Sequence, residues 1–211
     1  EVGGKKAIDY FVDDNKISDQ MVLADMKLAG TIPTDVVLFN IDSKSEVNGK
    51  QSKVAIVSVL QNVFNEMQGF SGSNPFLADL ERKLTEEGKY NLFKEKFEDS
   101  FGSAWEESRS DFDFIQDDVV EVLDEIGFMS IEAGRNWCEK ATGEYTYKVE
   151  DFARLVKKYL DKKESNHHIV FLIDEIGQYI GDDSKLMLNL QTVTEDLGTA
   201  CGGKEIGRAH V

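Results

Sequence analysis

The sequence predicts a helix-dominated α/β fold, in which a small parallel sheet remnant carries a large helical insertion. Two runs, residues 35–42 and 169–173, are apolar and rich in β-branched residues, and each leads into an acid. A strand without polar alternation is typical of a parallel sheet buried on both faces. Asp42 and Asp174 lie 132 residues apart. One crossover needs far fewer residues, so we expect residues 70–145 to form an acidic helical insertion.

Apolar spacing and capping residues predict the helices. Asn74-Pro75 combines an N-cap residue with a proline at the first helical position, and it should begin the helical insertion. Ser103 and Glu106 have the spacing of a capping box. We expect two helices within residues 5–30, broken near Asn15, nearly continuous helix over 76–142, and single helices over 51–68, 148–163 and 183–197.

Charge and cysteine content exclude several classes of protein. The net charge of −16, from 24 basic and 40 acidic residues, disfavours bulk attraction to nucleic acid or anionic lipid. Cys138 and Cys201 lack metal-ligand spacing and indicate a reducing cytoplasm. The sequence contains no apolar run of transmembrane length and no signal peptide. Because it does not begin with Met, we expect an internal piece of a longer protein.

The end of the second strand has the form of a Walker B motif. Asp174 and Glu175 follow five apolar residues and so should lie at the sheet edge where ligands of open α/β sheets bind. On this interpretation Asp174 holds Mg²⁺ through water, and Glu175 orients or polarises the attacking water. Gln178, just beyond, could face the phosphates. The other interpretation is a buried strand that ends in acids without a function.

A Walker A loop, G-x-x-x-x-G-K-[ST], is missing from the sequence. Residues 198–205 nearly fit, but they follow a helix, come after the Walker B strand and end in Glu205 where a hydroxyl is required. One codon choice for residues 205–211 contains a common sequencing-adapter sequence, so we expect this tail to be non-native. The source DNA tests that expectation.

Three segments together resemble the BrxC/PglY family, the large P-loop ATPase of the BREX phage-resistance system. They are residues 36–43, residues 171–181, and residues 188–198 with the Cys201-Gly-Gly segment, and the resemblance extends over residues 1–204. It implies a partial P-loop NTPase (ASCE/AAA-like) sheet, in an internal fragment between Walker A and the sensor strand. Residues 1–69 and 146–204 would then be parts of the ATPase core.

The resemblance also implies the site and the partners. Asp174 matches the Walker B aspartate, which binds the ATP cofactor and its Mg²⁺, and Glu175 matches the catalytic glutamate. The expected partners are other BREX components, DNA in the full complex and further copies of the protein, with no membrane. The fragment alone should be inactive, because positioning of the phosphates needs the missing loop.

Two other functions remain open at this point. The chain could be a non-enzymatic acidic helical module that binds a basic protein partner or mimics nucleic acid. It could also be a metal-dependent phosphohydrolase that uses Asp42 and Asp174, although the additional carboxylates and histidines of such sites are missing.

Overall fold

The computed structural model describes residues 4–13, 16–41, 56–203 and 205–209. In this part of the chain, helices accompany a three-stranded parallel sheet of order β1-β2-β3 and pack against one of its faces. The elements are α1 (Ala7–Asp13), α2 (Gln20–Ala29), β1 (Thr34–Asn40), α3 (Ile56–Met67), α4 (Pro75–Glu86), α5 (Tyr90–Phe101), α6 (Trp105–Ser108) with a 3₁₀ segment (Arg109–Phe114), α7 (Gln116–Glu125), α8 (Ile131–Ala141), α9 (Val149–Leu160), β2 (His168–Asp174), α10 (Ile176–Ile180), α11 (Ser184–Cys201) and β3 (Glu205–Ala209).

The two predicted strands pair side by side. β1 and β2 are parallel over their whole length, with Thr34 opposite His168 and Asn40 opposite Asp174. The helix-dominated α/β class predicted from the sequence is therefore confirmed. The first strand ends two residues earlier than predicted, and Asp42 lies outside the described residues.

Among the described residues, helices cover only one face of β2 and only its alternate side chains are buried, so the prediction of a strand buried on both faces is wrong. Ile169, Phe171 and Ile173 point to the core, where the Phe171 ring lies 6.4 Å from Phe64 of α3 and 6.2 Å from Phe152 of α9. The alternate residues of β2 are half-buried. On the same face of β1, Val36 is 56% and Leu38 72% exposed. The apolar composition of a strand does not show whether another element packs on each of its faces.

The third strand is formed by the predicted tail. Residues 205–209 pair parallel with β2 on the side away from β1. The backbone of this segment therefore belongs to the sheet, although the sequence interpretation left it out of the fold. The non-native origin of residues 205–211 stays a prediction.

Side-chain caps form at several of the predicted helix starts. Asn74 Oδ1 accepts the backbone N–H groups of Phe76 and Leu77, at 3.0 and 3.2 Å, and α4 begins at Pro75 as expected. The Ser103 capping box is wrong: Ala104 is the N-cap residue of α6 and makes no side-chain cap. The chain leaves α5 through Gly102 in the left-handed region, at φ +86°, and the next helix starts one residue later than predicted.

Buried apolar side chains form two clusters in the described residues. The first joins the sheet to α3, α9, α10 and α11, from Val37 to Phe64 and from Phe152 to Cys201. The second runs from Leu77 to Ala141 within α4–α8. The division of the chain into parts of an ATPase core and a helical insertion at residues 70–145 stays a prediction. No helix in the described ranges has the length and hydropathy to span a membrane.

Candidate functional site

The candidate site lies at the carboxyl ends of β1 and β2. Parallel pairing brings Asn40 and Asp174 to the same edge, in register with each other. Asp174 is exposed at the end of a strand whose preceding residue, Ile173, is buried. A carboxylate therefore faces open space at the edge where open α/β sheets bind ligands.

Glu175 has an unusual backbone conformation. At φ +60° and ψ +16°, it is the one non-glycine residue with positive φ in the described part of the chain. This left-handed conformation costs a side-chain-bearing residue about 1–2 kcal/mol. It turns the chain sharply from β2 into α10, where the Glu175 carbonyl accepts the Tyr179 N–H at 3.0 Å. Strained residues of this kind are concentrated at functional sites.

Two contacts fix the carboxylates relative to each other. The backbone N–H of Glu175 donates to Asp174 Oδ1 at 3.0 Å. The side-chain amide of Asn40 donates to Glu175 Oε2 in a short hydrogen bond. Glu175 is therefore held between the two strands. Sequence reasoning missed Asn40, although its position two residues before Asp42, at the end of an apolar run, was a usable signal.

The structure places the other predicted residue near this edge but assigns it no contact with Asp174. Gln178 is exposed on α10, three residues beyond Glu175. Its neighbour Tyr179 points the other way and is 5% exposed in the core. Residues 42–55, which follow β1, lie outside the described residues, so Asp42 is not placed in the site.

The metal-ligating side chains at this edge determine which metal ion the site could hold. Within the described residues no three His, Cys, Asp or Glu side chains come together as a metal cluster. Asp174 supplies one carboxylate to the site. The carboxylate of Glu175, the next residue, is held by Asn40. Mg²⁺ is usually held by one or two carboxylates, with water and substrate phosphate as the other ligands, so these residues fit Mg²⁺. They do not fit a structural zinc or calcium site, which needs more protein ligands.

A second polar cluster lies at the opposite end of the strands. Asp35 Oδ2 accepts the Tyr159 hydroxyl at 2.5 Å and lies 2.7 Å from His167 Nε2. Burial opposes ionisation of Asp35, but these hydrogen bonds and the charges of His167 and Lys163 outweigh it and lower its pKa. The cluster ties α9 and His167, the residue just before β2, to the start of β1.

Comparison with known proteins gives no assignment. No family model matches the chain, and no solved structure matches it significantly.

Proposed function

We propose that the chain is part of an ATP-binding and ATP-hydrolysing P-loop protein of a bacterial anti-phage defence system of the BREX type. It contributes the Walker B strand and not the Walker A loop. The observation that carries the proposal is the parallel pairing of β1 with β2, which sets Asn40, Asp174 and Glu175 together at the carboxyl edge of the sheet.

Two further features of the chain support the proposal. Glu175 adopts a strained turn directly after the strand, and its carboxylate accepts a hydrogen bond from Asn40 at the end of the neighbouring strand. The exposed apolar face of β1 fits a sheet whose other face is covered by elements of the full-length protein.

The residues have distinct roles in this proposal. Bound Mg²⁺ would neutralise phosphate charge, and Asp174 would hold it through water. The Glu175 carboxylate would orient a water molecule and accept its proton. Asn40 holds that carboxylate in one position, and Gln178 lies on the helix that leaves the site. Other components of the defence system, DNA and further copies of the protein are the proposed partners.

The source gene provides the most direct test. A coding sequence upstream of Glu1 that encodes an apolar strand followed by GxxxxGK[ST] would support the proposal. The full-length protein should then bind MgATP, and the Asp174→Asn variant should need more Mg²⁺ for the same nucleotide affinity. An upstream sequence without this loop, with no nucleotide binding by the full-length protein, would exclude the function.

Asn40 should act as a positioning residue. In the full-length protein, Asn40→Ala should lower kcat for ATP hydrolysis about 10- to 100-fold, because Glu175 loses the contact that fixes it. KM for ATP should change less than about twofold, since Asn40 contributes to positioning and not to binding. Thr34→Ala is the matched control, because it removes a hydroxyl at the other end of the same strand. If the parent, Asn40→Ala and Thr34→Ala proteins have equal kcat, Asn40 does not position Glu175.

A second candidate, the acidic interaction module, is favoured by one observation. Phe114 is 89% exposed on the 3₁₀ segment, with exposed Asp111, Asp113 and Asp117 beside it in the sequence. An exposed aromatic side chain among carboxylates is suited to a basic partner with an apolar pocket. Loss of partner capture by Phe114→Ser, with ATP hydrolysis unchanged, would assign this surface a binding role separate from the Walker B site.

A further inference from the structure

A cleft between the two apolar clusters has a charge opposite to that of the chain as a whole. Its volume is about 350 Å³, and it separates α4 from α9. Four cations line it, Arg82 from α4 and Lys158, Lys162 and Lys163 from α9 and the residues after it. Glu86 is the single acid among the lining residues. In a chain of net charge −16, so local a concentration of cations needs an explanation.

The lysines of this cleft outnumber the carboxylates that pair with them. Lys158 and Lys162 are one helical turn apart, and each lies 2.8 Å from the same oxygen, Oε1 of Glu86. One carboxylate therefore faces two ammonium groups with six donor hydrogens between them. Hydrogen bonds from Lys158 and Lys162 lower the pKa of Glu86 to about 2, so this carboxylate is ionised throughout the physiological range. Lys163 lies 3.9 Å from Asp35 and is also loosely paired.

Arg82 provides a second, independent observation. Its side chain is 11% exposed, and its guanidinium donates to Asp79 and Asn65. Its Nε is buried and has no acceptor among the described residues. A buried donor without a partner is unfavourable. Arg82 lines the cleft, so a ligand whose acceptor reaches this nitrogen would remove that penalty.

The rest of the lining is apolar and aromatic. Phe70, Leu155 and Tyr159 contribute to its walls, with Arg82 5.2 Å from the centre of the Phe70 ring and Lys163 4.8 Å from that of Tyr159. Cations at the rim and rings in the wall suit a ligand with a multiply charged anionic group and a planar or apolar body. Lysines bind phosphate as point charges, whereas a carboxylate is recognised best by the flat fork of a free arginine, and Arg82 is already paired with Asp79.

We propose that this cleft binds a phosphorylated small molecule, of the diphosphate class, between α4 and α9. The ligand takes the free donors of Lys158 and Lys162 and bridges the helical cluster to the cluster that contains the sheet. This site is separate from the carboxyl edge of the sheet and does not depend on the function proposed for that edge.

Titration of the 211-residue chain with pyrophosphate and with ADP, at low ionic strength and with EDTA present, tests the proposal by calorimetry. Both should bind, ADP more tightly because of its planar body. The Lys158→Ala/Lys162→Ala double variant should weaken binding about 10- to 100-fold, as expected for the loss of charge-assisted hydrogen bonds. Lys157→Ala is the matched control, since Lys157 is on the same helix but pairs with Asp161 outside the cleft, and it should leave affinity unchanged.

Two more variants should raise the affinity in one case and leave it unchanged in the other. Glu86→Gln removes the competing carboxylate, so the affinity for pyrophosphate and ADP should rise at least about threefold. This factor should be the same at every pH from 5 to 9, because Glu86 is ionised throughout that range. Asp174→Asn should have no effect, which separates this cleft from the Walker B edge. All the substituted lysines and Glu86 are partly or fully exposed, so the variants should keep the thermal transition of the parent chain.

Several results would overturn the proposal. Undetectable binding of both probes to the parent chain excludes the site. Equal losses in the double variant and in Lys157→Ala indicate attraction to surface charge in general. Citrate binding as tightly as pyrophosphate excludes a phosphate ligand, and weaker binding by Glu86→Gln shows that the carboxylate supports the site instead of competing for it.

Discussion

On the ATPase function proposed above, replacing Glu175 by Gln in the full-length protein should lower the rate of ATP hydrolysis by about 10²- to 10⁴-fold, the contribution typical of a general base. The amide can keep a hydrogen bond with Asn40 and has the same shape, but it cannot accept a proton from water. The left-handed backbone at this residue should be unaffected, because the substitution changes no atom of the main chain. Single-turnover hydrolysis of labelled ATP measures the effect directly.

The control for this experiment is another glutamate just outside the strand. Glu164 is exposed in the turn before β2, and Glu164→Gln should hydrolyse ATP at the parent rate. MgATP affinity should be retained in Glu175→Gln, since Asp174 is still present to hold the ion. Normal turnover by Glu175→Gln would mean that this carboxylate is not the base, and the strained turn would need another explanation.

The largest loss of stability is expected at Glu81, which is fully buried in the helical cluster. Its Oε1 accepts hydrogen bonds from Trp105 Nε1 at 2.7 Å, Arg109 Nη1 at 2.8 Å and the Tyr90 hydroxyl at 3.0 Å. Its Oε2 accepts the Ser71 N–H at 2.6 Å. Burial, together with this carboxylate, raises the pKa of Tyr90, so the phenol remains a donor.

Glu81→Gln should destabilise the chain by about 3–5 kcal/mol, the usual cost of breaking a buried ion pair on one side. A glutamine must turn its NH₂ group toward one of these donors, and it leaves the Arg109 guanidinium without a counter-charge. Urea unfolding followed by Trp fluorescence measures the loss, since Trp105 is itself a partner of Glu81 and is fully buried.

A glutamate at the end of the same helix provides the comparison. Glu87 is exposed and lies 3.5 Å from Lys89, so Glu87→Gln should change the free energy of unfolding by less than about 0.5 kcal/mol. If Glu81→Gln unfolds at the same urea concentration as the parent chain, the four donors are satisfied in another way and the buried carboxylate does not organise this cluster.

The sequence predicted the pairing of the strands and missed the residue that completes their edge. Both strands were visible because strands of parallel sheets are apolar runs rich in β-branched residues, and Asp174 marked the end of β2, whereas β1 ends two residues before Asp42. Asn40 was not singled out because its role depends on register: it lies opposite Asp174 only after β1 and β2 have paired without a shift. Spacing along one segment carries no information on the register between two segments 132 residues apart.

Burial and long-range charge pairing were likewise decided by the tertiary structure. Val36 and Leu38 have the composition of core residues but are exposed, because exposure depends on what packs above the sheet. Glu81 is one of many acids in the stretch predicted to be an acidic helical insertion, yet its side chain points inward to Trp105 and Arg109.

By itself the sequence determined the fold class, the approximate positions of the helices outside residues 76–142 and the two adjacent carboxylates, since these depend on local periodicity, capping and composition. The nearly continuous helix predicted over 76–142 is instead divided into α4–α8 and a 3₁₀ segment. The tertiary structure alone decided which polar groups meet: Asn40 with Glu175, and Lys158 and Lys162 with Glu86. The physical reason is that hydrogen bonds and ion pairs act over a few ångströms between residues far apart in the chain, and only folding brings such residues within that distance.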